Sequence, residues 1–347
     1  MKFHIILRRD LENARSPFRV VQHNGSEVEW VNRLLDQQRV RGVAETTLRS
    51  YAYDLLHFLR WWVEVTHSTT VTDKALTEAT LLDYIRFQTN QQPPPAAASI
   101  NRRVGLAERA LQLSFPLAQT PLVPGFQYGY WRPLPLGIGS PRPALSRLRV
   151  RTPKRVIVPL SNEEVAQFWT SFRTARDLAI VGLMLLDGLR SCEVLALDRE
   201  NLLFSESQMR VQGKGNKLRW LPLAPETIQL LDHYLQWERP TNCGAALFVV
   251  LKGHARGSRM TAAGLRSLFR HHRRITDLSK ANPHRFRHTF ARDMLCNGIS
   301  LPALMQLMGH SKIQTTMVYV QLTAEEVYRQ YAHAVAQQVR RIPSVQP

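Results

Sequence analysis

Apolar residues recur at helical spacing through the first third of the chain. Ser26 and Glu29 form the pattern of a capping box at the start of one helix, which Gly42 is predicted to end. Further amphipathic helices are predicted to begin near Glu45, to include residues 81–87 and to begin near Ser99. Four amphipathic helices of this length predict a small all-α bundle over residues 25–120.

Two neighbouring stretches lack this pattern. Residues 1–24 favour a short strand followed by loop and are set apart as an N-terminal extension. Residues 121–159 contain eight prolines, so a helix cannot persist there. We therefore predict a semi-rigid linker over residues 121–155.

The second half of the chain returns to helical spacing. Ser161 with Glu164 predicts another capping box, and Gly188 is predicted to end a helix around residues 177–186. Another short helix is predicted to carry Arg190, Glu193 and Leu197. Later helices are predicted over 226–237, 261–274, 283–296, 301–308, 312–320 and 324–338.

One short patch of the second half has strand character. Residues 209–212 alternate apolar and polar positions, and the turn sequence Gly-Lys-Gly-Asn separates them from residues 220–223, which predicts a β-hairpin. The fold class is therefore mainly α with a small antiparallel β-sheet. We expect a helical domain followed by an α+β domain over residues 156–347.

Composition indicates the partner. The chain has 46 Lys and Arg against 27 Asp and Glu, a net charge of +19, which indicates a polyanion such as DNA. A generally basic protein without DNA affinity would have the same composition. The surplus is +10 in residues 1–155 and +9 in residues 156–347, so both halves are expected to contact the polyanion. Residues 142–155 hold six basic residues and no acidic one, which fits a solvated charge run or a strap along phosphates.

The cysteines and the apolar runs bear on the compartment. Cys192, Cys243 and Cys296 lie far apart without any CxxC pair, which argues against a disulfide framework or a zinc site and fits a reducing compartment. No apolar run approaches the length of a membrane span, and the first residues do not resemble a signal peptide. We expect a cytoplasmic, nucleoid-associated protein with no membrane partner.

The first block with chemical potential is a basic helix start. Asn282 and Pro283 are favoured at the cap and the first position of a helix. His284 and Arg287 then stand three residues apart, where free N–H groups and the helix dipole favour an anion. The pair suits a phosphate, although basic helix starts are common.

Two further blocks place a cation beside glycine. Arg190 follows Gly188 and precedes Glu193 by one helical turn, a spacing at which a carboxylate can hold a guanidinium rigid. Lys214 stands between two glycines at the predicted hairpin tip, where the backbone can approach a ligand closely. A surface ion pair and a solvated lysine are the ordinary alternatives.

The last block combines a histidine with a tyrosine. Gly309 ends a predicted helix, His310 follows, and Tyr319 lies nine residues further on with apolar neighbours at helical spacing. A tyrosine in such a helix usually packs in a core. On its own this block does not identify a nucleophile.

Taken together, the blocks resemble the signature of the tyrosine recombinase family. In order, the chain offers Arg190, Lys214, His284 with Arg287, His310 and Tyr319, within the stretches GLRSCEVLAL, GKGNKLRWLPL, HRFRHTFA and LMGHSKIQTTMVY. The resemblance is strong over most of 156–335 and looser over 26–115. It implies a helical, SAM-like core-binding domain that binds DNA, followed by the catalytic domain of the family. Phe286, where Leu is commoner, is a small departure.

The resemblance also implies roles for individual residues. Tyr319 would attack the scissile phosphodiester to form a 3′-phosphotyrosyl link, and Lys214 would protonate the leaving 5′-oxygen. Arg190 and Arg287 would bind the non-bridging oxygens, with His284 as general acid or base and His310 as a hydrogen-bond donor to the phosphate. Glu193 and His288 would support these side chains. No metal and no other cofactor is expected, because the guanidiniums supply the positive charge.

The expected partner is double-stranded DNA with paired recombination half-sites. Candidate DNA contacts of the first domain and the linker are Arg49, Arg102, Arg103, Arg147, Arg149 and Arg151. The resemblance implies a homotetramer on DNA, with the predicted helix at 324–338 docking on a neighbouring subunit, and leaves room for an accessory DNA-bending protein or a partner recombinase.

Three alternatives stay open. A type IB topoisomerase uses a related constellation and would relax supercoils as a monomer. A DNA-binding regulator with a decayed site would lack at least one of the catalytic residues, and none is missing. Among recombinases, the long basic linker favours integration, excision or transposition of a mobile element over chromosome-dimer resolution.

Overall fold

The structure is a computed structural model of the 347-residue chain. It describes residues 3–8, 14–72, 77–115, 148–152, 158–213, 217–310 and the single positions 313, 316, 331, 332 and 335. The chain divides into two compact units, Met1–Lys154 and Arg155–Pro347. We call the first the helical unit and, following the expectation from the sequence, the second the catalytic unit.

The helical unit contains the predicted bundle. Its helices are α1 Glu29–Val40, α2 Glu45–Thr66, α3 Glu78–Thr89 and α4 Ala97–Ser114. The long helix α2 packs against both α1 and α4. The rings of Phe58 and Trp61 on α2 lie 5.0 and 4.9 Å from the ring of Tyr84 on α3, centre to centre, and Phe58 and Tyr84 are fully buried. Such aromatic contacts stabilise the bundle beyond the area they bury.

The start of α1 differs from the prediction. Ser26 does not cap the helix, because Val28 occupies the cap position and no side chain bonds to the free N–H groups. Instead the carbonyl of Ser26 accepts from the backbone of Gln22, and the backbone N–H of Val28 donates to Val20. The predicted capping box is therefore wrong, since this segment pairs with a preceding strand before it enters the helix.

That strand belongs to an N-terminal hairpin, of which only one strand was predicted. Strands β1 Phe3–Leu7 and β2 Phe18–Gln22 are antiparallel, and Phe3 and Val20 are buried in the same core as the four helices. The sequence pattern concealed β2 because Arg19 interrupts its apolar positions. In the structure this buried arginine forms ion pairs with Glu27 and Asp36, which makes its burial tolerable.

A short piece of the Pro-rich linker docks on the helical unit. Leu148 and Val150 pack against its core. Asn101 of α4 donates to the carbonyl of Val150 and accepts from its N–H, both at 2.9 Å. The predicted linker, residues 121–155, otherwise lies outside the described residues, apart from 149, 151 and 152.

The catalytic unit is helical around a small sheet. Its helices are α5 Asn162–Thr170, α6 Ala175–Leu185, α7 Ser191–Ala196, α8 Pro225–His233, α9 Ala262–Thr276, α10 Pro283–Cys296 and α11 Leu301–Met308. A π-helical turn, Tyr234–Glu238, extends α8. The predicted capping box is present, with Ser161 and Glu164 bonded reciprocally.

The sheet of the catalytic unit is antiparallel. Strands β4 Gln208–Gln212 and β5 Leu218–Pro222 form the predicted hairpin, and β3 Leu202–Leu203 adds a third strand too short to predict. Mainly helical structure with small antiparallel sheets confirms the predicted fold class. Across the described residues of both units, no helix combines the length and apolar character that a membrane span requires.

The end of the chain is only sparsely described. The helices predicted over 312–320 and 324–338 lie outside the described residues except at five positions, all of which are helical. One of them, Thr316, is fully buried.

Candidate active site

The first block of the site is the turn between α6 and α7. Gly188 has a left-handed φ of +68°, and a Cβ there would lie 2.3 Å from the ring of Phe290, so both backbone and space require glycine. Arg190 then caps α7. Its backbone N–H and its Nη1 donate to the two oxygens of Glu193 at 2.9 and 2.8 Å. The carboxylate therefore fixes the arginine at both ends.

The second block enters from α10. Asn282 caps the helix by accepting from the N–H of Arg285 at 3.1 Å, and Pro283 occupies the first position, as the sequence predicts. One turn later Arg287 is 4% exposed and donates to the carbonyls of Gly188 and Met308. It thus joins the α6–α7 turn to the end of α11. His284 is exposed on the first turn of α10, and His288 is half-buried.

Glu193 lies at the centre of the site. Its side chain is 2% exposed, and the guanidiniums of Arg190, Arg219 and Arg287 lie 2.8, 3.0 and 3.7 Å from its oxygens. Burial alone would raise the pKa of Glu193. Hydrogen bonds from Arg219 and the backbone of Arg190, with the charges of both arginines, outweigh burial and hold the pKa below its ordinary value. Three cations therefore surround one ionised carboxylate.

His310 borders this cluster. α11 ends at Gly309, whose φ is +60°, and the next residue places its Nε2 3.3 Å from Nη2 of Arg287 and its Nδ1 2.9 Å from Oγ1 of Thr316. Burial and then the charges of Arg287, Arg190 and Arg219 lower the pKa of His310 to about 4. The ring is therefore neutral at neutral pH. Because a guanidinium only donates, Nε2 accepts and Nδ1 carries the proton.

Arg219 was not among the residues singled out from the sequence. It lies on β5, where the hairpin register places it opposite Val211 and on the same face as buried Leu221. Its Nη1 and Nη2 donate to the two oxygens of Glu193 at 3.1 and 3.0 Å. A signal was available, because an arginine on the inward face of an alternating strand needs a buried partner.

Two predicted site residues cannot be placed. Lys214 and Tyr319 lie outside the described residues. At the root of the turn that carries Lys214, the N–H of Gly213 donates to the carbonyl of Lys217 at 2.8 Å. The structure thus brings together Arg190, Glu193, Arg287 and His310 from three separate sequence blocks.

Several known proteins resemble this chain in sequence. The sequence matches the phage integrase family over residues 159–326. It is 27% identical over 294 residues to tyrosine recombinase XerD of Vibrio cholerae, covering 83% of this chain and 89% of that one. It is 28% identical over 306 residues to XerD of Lacticaseibacillus casei, covering 84% and 92%. Residues 159–326 therefore carry a phage integrase domain, and the chain is similar to tyrosine recombinases over most of its length.

A solved structure supports the fold of this recombinase. The integrase of transposon Tn1549, in complex with a circular intermediate DNA, superposes with a TM-score of 0.62 at 18% sequence identity, covering 87% of this chain and 98% of that one. At that identity the match shows the shared fold alone. Within the described residues of the recombinase, no three His, Cys, Asp or Glu side chains cluster as a metal site would require.

The predicted DNA contacts of the recombinase fall into two groups. Arg49, Arg149 and Arg151 are exposed, and Arg49 lies 5.8 Å from the ring centre of Tyr53. Arg147 lies outside the described residues. The other two, Arg102 and Arg103, both contact buried Asp54.

Arg103 has the more internal position of that pair. It lies 3.5 Å from Asp54 and donates to Gln88 at 3.1 Å, whereas Arg102 is half exposed while its fork holds Asp54. Arg103 is therefore engaged inside the helical unit, which the sequence could not indicate.

Proposed function

We propose that this site-specific DNA recombinase cleaves and rejoins duplex DNA with Tyr319 as the nucleophile, at a phosphate held by Arg190 and Arg287. The observation that carries the proposal is the convergence of Arg190, Arg287 and His310 around buried Glu193. Three guanidiniums and one carboxylate leave a local charge of about two positive units. That charge matches a pentacoordinate phosphorane, whose non-bridging oxygens carry two negative charges.

The reaction balances without a cofactor. The Tyr319 oxygen attacks phosphorus and loses its proton to His284, while the bond from phosphorus to the 5′-oxygen breaks and Lys214 protonates that oxygen. Rejoining reverses these steps with the 5′-hydroxyl of another strand as the nucleophile. The phosphotyrosyl link conserves the phosphodiester energy, so ATP is not needed.

His310 has a conditional part in this scheme. Its Nε2 accepts from Arg287 in the structure, so it can donate to a phosphate only after gaining a proton or changing tautomer. An anionic phosphate beside the ring raises its pKa and favours protonation. We therefore propose that substrate binding itself converts His310 into a donor.

The direct test is Tyr319→Phe on a nicked suicide substrate, analysed on a denaturing gel. The variant should bind DNA nearly as wild type does and form no covalent adduct, because only the nucleophilic oxygen is removed. Tyr331→Phe, at an exposed tyrosine, is the matched control and should form adduct normally. Adduct in Tyr319→Phe that disappears in Tyr331→Phe would reassign the nucleophile.

Lys214 requires a separate test. A substrate with sulfur in the 5′-bridging position has a leaving group that departs without a proton, so it bypasses a general acid. Lys214→Ala should be badly impaired on ordinary DNA and close to wild type on the sulfur substrate, whereas Arg190→Ala should be impaired on both. Equal impairment of Lys214→Ala would make Lys217 the next candidate acid.

For the biological role, we propose integration, excision or transposition of a mobile element, carried out in the cytoplasm at the nucleoid by a tetramer on paired half-sites. The long basic linker supports this direction. Chromosome-dimer resolution is the second candidate, favoured by the near full-length XerD matches. Element ends flanking the gene, and their excision when the recombinase is expressed, would decide for the first role. Resolution of directly repeated chromosomal sites without element ends would decide for the second.

A further inference from the structure

Arg219 holds Glu193 through both terminal nitrogens of its guanidinium. Its two terminal nitrogens donate to both oxygens of Glu193 at 3.1 and 3.0 Å, and its side chain is only 15% exposed. Arg190 bonds one of those oxygens through its side chain and the other through its backbone. The fork of Arg219 therefore fixes the plane of the carboxylate against which Arg190 is held.

Two glycines leave the space that this guanidinium occupies. A Cβ on Gly213 would lie 2.9 Å from Nη1 of Arg219, and a Cβ on Gly309 would lie 3.0 Å from its Cζ. Gly309 also has a left-handed backbone, but Gly213 does not, so at Gly213 the close approach of Arg219 is the constraint. Arg219 thus packs between the root of the hairpin turn and the residue before His310.

The third nitrogen of the Arg219 guanidinium, Nε, indicates how strongly the paired hydrogen bonds to Glu193 hold this side chain. Nε of Arg219 is buried and, among the described residues, has no hydrogen-bond partner. A buried donor without an acceptor costs free energy, so the side chain would swing outward unless the carboxylate fork outweighed that cost. Arg190, by comparison, is 28% exposed and is the better placed of the two to reach a DNA phosphate.

We propose that Arg219 is a positioning residue that orients Glu193, and through it Arg190, toward the scissile phosphate without contacting DNA itself. The proposal rests on the proposed function, because it takes Arg190 to bind the non-bridging oxygens. Loss of Arg219 then weakens the stabilisation of charge on the non-bridging phosphate oxygens and leaves protonation of the leaving group unchanged.

Substrate analogues separate these effects. A methylphosphonate at the scissile position replaces one charged non-bridging oxygen with a neutral methyl group, so cleavage depends less on well-placed cations. A 5′-bridging sulfur removes the need for a general acid and leaves the non-bridging charge in place. A variant that merely weakens the fold is slowed to the same degree on all three substrates.

The experiment measures single-turnover adduct formation at saturating protein on the three substrates. Arg219→Ala should slow cleavage of ordinary DNA by about 10–100-fold, the range typical when a residue supporting a preorganised site is lost. The slowing should shrink on the methylphosphonate, as for Arg190→Ala, and persist with the bridging sulfur. Arg219→Lys keeps the charge but loses the fork, so it should show the same pattern.

A matched control lies on the same hairpin. Arg210 is on β4 opposite Trp220, on the outer face of the hairpin, and Arg210→Ala should cleave all three substrates near the wild-type rate. Gly213→Ala supplies an independent test, because the added methyl displaces Arg219. It should slow cleavage in the wild-type chain and add little in Arg219→Ala, a non-additivity expected only if both changes act through one contact.

Two outcomes would overturn the proposal. Equal slowing of Arg219→Ala and Arg219→Lys on all three substrates would leave Arg219 a purely structural residue. Relief by the bridging sulfur would mean that it acts on the general acid instead. Failure of the proposed function looks different, because the wild-type chain would then form no adduct that Tyr319→Phe abolishes. If Arg219→Ala does not fold, Arg219→Lys and Gly213→Ala still decide.

Discussion

The two units of the recombinase each contain a buried carboxylate, a pair of arginines and a histidine of depressed pKa. In the helical unit, Asp54 holds Arg102 and Arg103, and burial, followed by the charge of Arg103, lowers the pKa of His57 to about 4. In the catalytic unit, Glu193 holds Arg190 and Arg219, with Arg287 nearby. The same residue types thus occur in both clusters, so composition alone does not make a site.

The surroundings of the two clusters differ. In the helical unit, His57 bonds the hydroxyl of buried Tyr84 at 2.8 Å and Arg103 bonds Gln88, so polar side chains complete the network. In the catalytic unit, Arg287 donates to two backbone carbonyls, and glycines open space around the arginines. The first cluster joins three helices, whereas the second leaves Arg190 partly exposed beside His310. Excess positive charge and the space left by glycines separate a site from a structural network.

The largest effect is expected when an arginine of the catalytic cluster is replaced. Arg287→Ala should slow single-turnover cleavage by raising its activation free energy by about 2.7–4 kcal/mol, the scale of one preorganised charge-stabilising group. Arg287→Lys should restore little, because an ammonium cannot reproduce two forked bonds. Adduct formation on a suicide substrate measures both.

Arg103→Ala is the counterpart in the helical unit. It should lower the stability of that unit, because Asp54 loses a partner, yet cleave pre-bound DNA at the wild-type rate. An equal loss of cleavage in Arg103→Ala would show that the helical cluster takes part in catalysis, and the distinction between the two clusters would fail.

Sequence patterns predicted the elements well where local signals are strong. The Asn282–Pro283 start of α10, the Ser161 capping box and the hairpin around Lys214 are encoded within a few residues, and each is present. The predicted capping box at Ser26 failed because pairing with a strand competes with capping there. Local patterns do not report such tertiary competition.

Site residues, too, were predictable from the sequence where a short local motif marks them and were missed where their role depends on tertiary contacts. Arg190 and Arg287 were recognisable because their motifs are short and ordered along the chain. Arg219 was missed because its role depends on Glu193, which lies 26 residues away, and on two glycines that only the fold brings to its guanidinium. The internal engagement of Arg103 was equally hidden, since it depends on side chains of α2 and α3.

The next prediction concerns the pH dependence of stability that the two histidines of low pKa cause. With folded-state pKa values of about 4 against an ordinary 6.5, both stay neutral in the fold but take up protons in the unfolded chain as pH falls from about 6.5 toward 4. The unfolded state then binds more protons, so stability is lost as pH falls through this window and is fully present above it. His57→Gln should flatten the urea-midpoint curve between pH 7 and 4.5.

DNA should separate the two histidines. A phosphate beside His310 raises its pKa and removes its share of the acid sensitivity, whereas His57 is enclosed by Tyr84 and Arg103. With saturating site DNA, the urea midpoint of His57→Gln should therefore depend less on pH than that of the wild-type chain. Identical curves with and without DNA would show that His310 is remote from the bound phosphate.

The smallest expected effect concerns DNA affinity in the helical unit. A phosphate contact contributes roughly 0.9 to the slope of log affinity against log salt concentration, so Arg149→Ala should lower that slope by about one and weaken binding modestly at all sequences. Arg149 is exposed, beside the linker residue that Asn101 holds against α4. Arg103→Ala removes the same charge from an internal position and should leave the slope unchanged. If both variants lower the slope equally, the Asp54 cluster also contacts phosphates. The two clusters would then differ only in the geometry around Glu193.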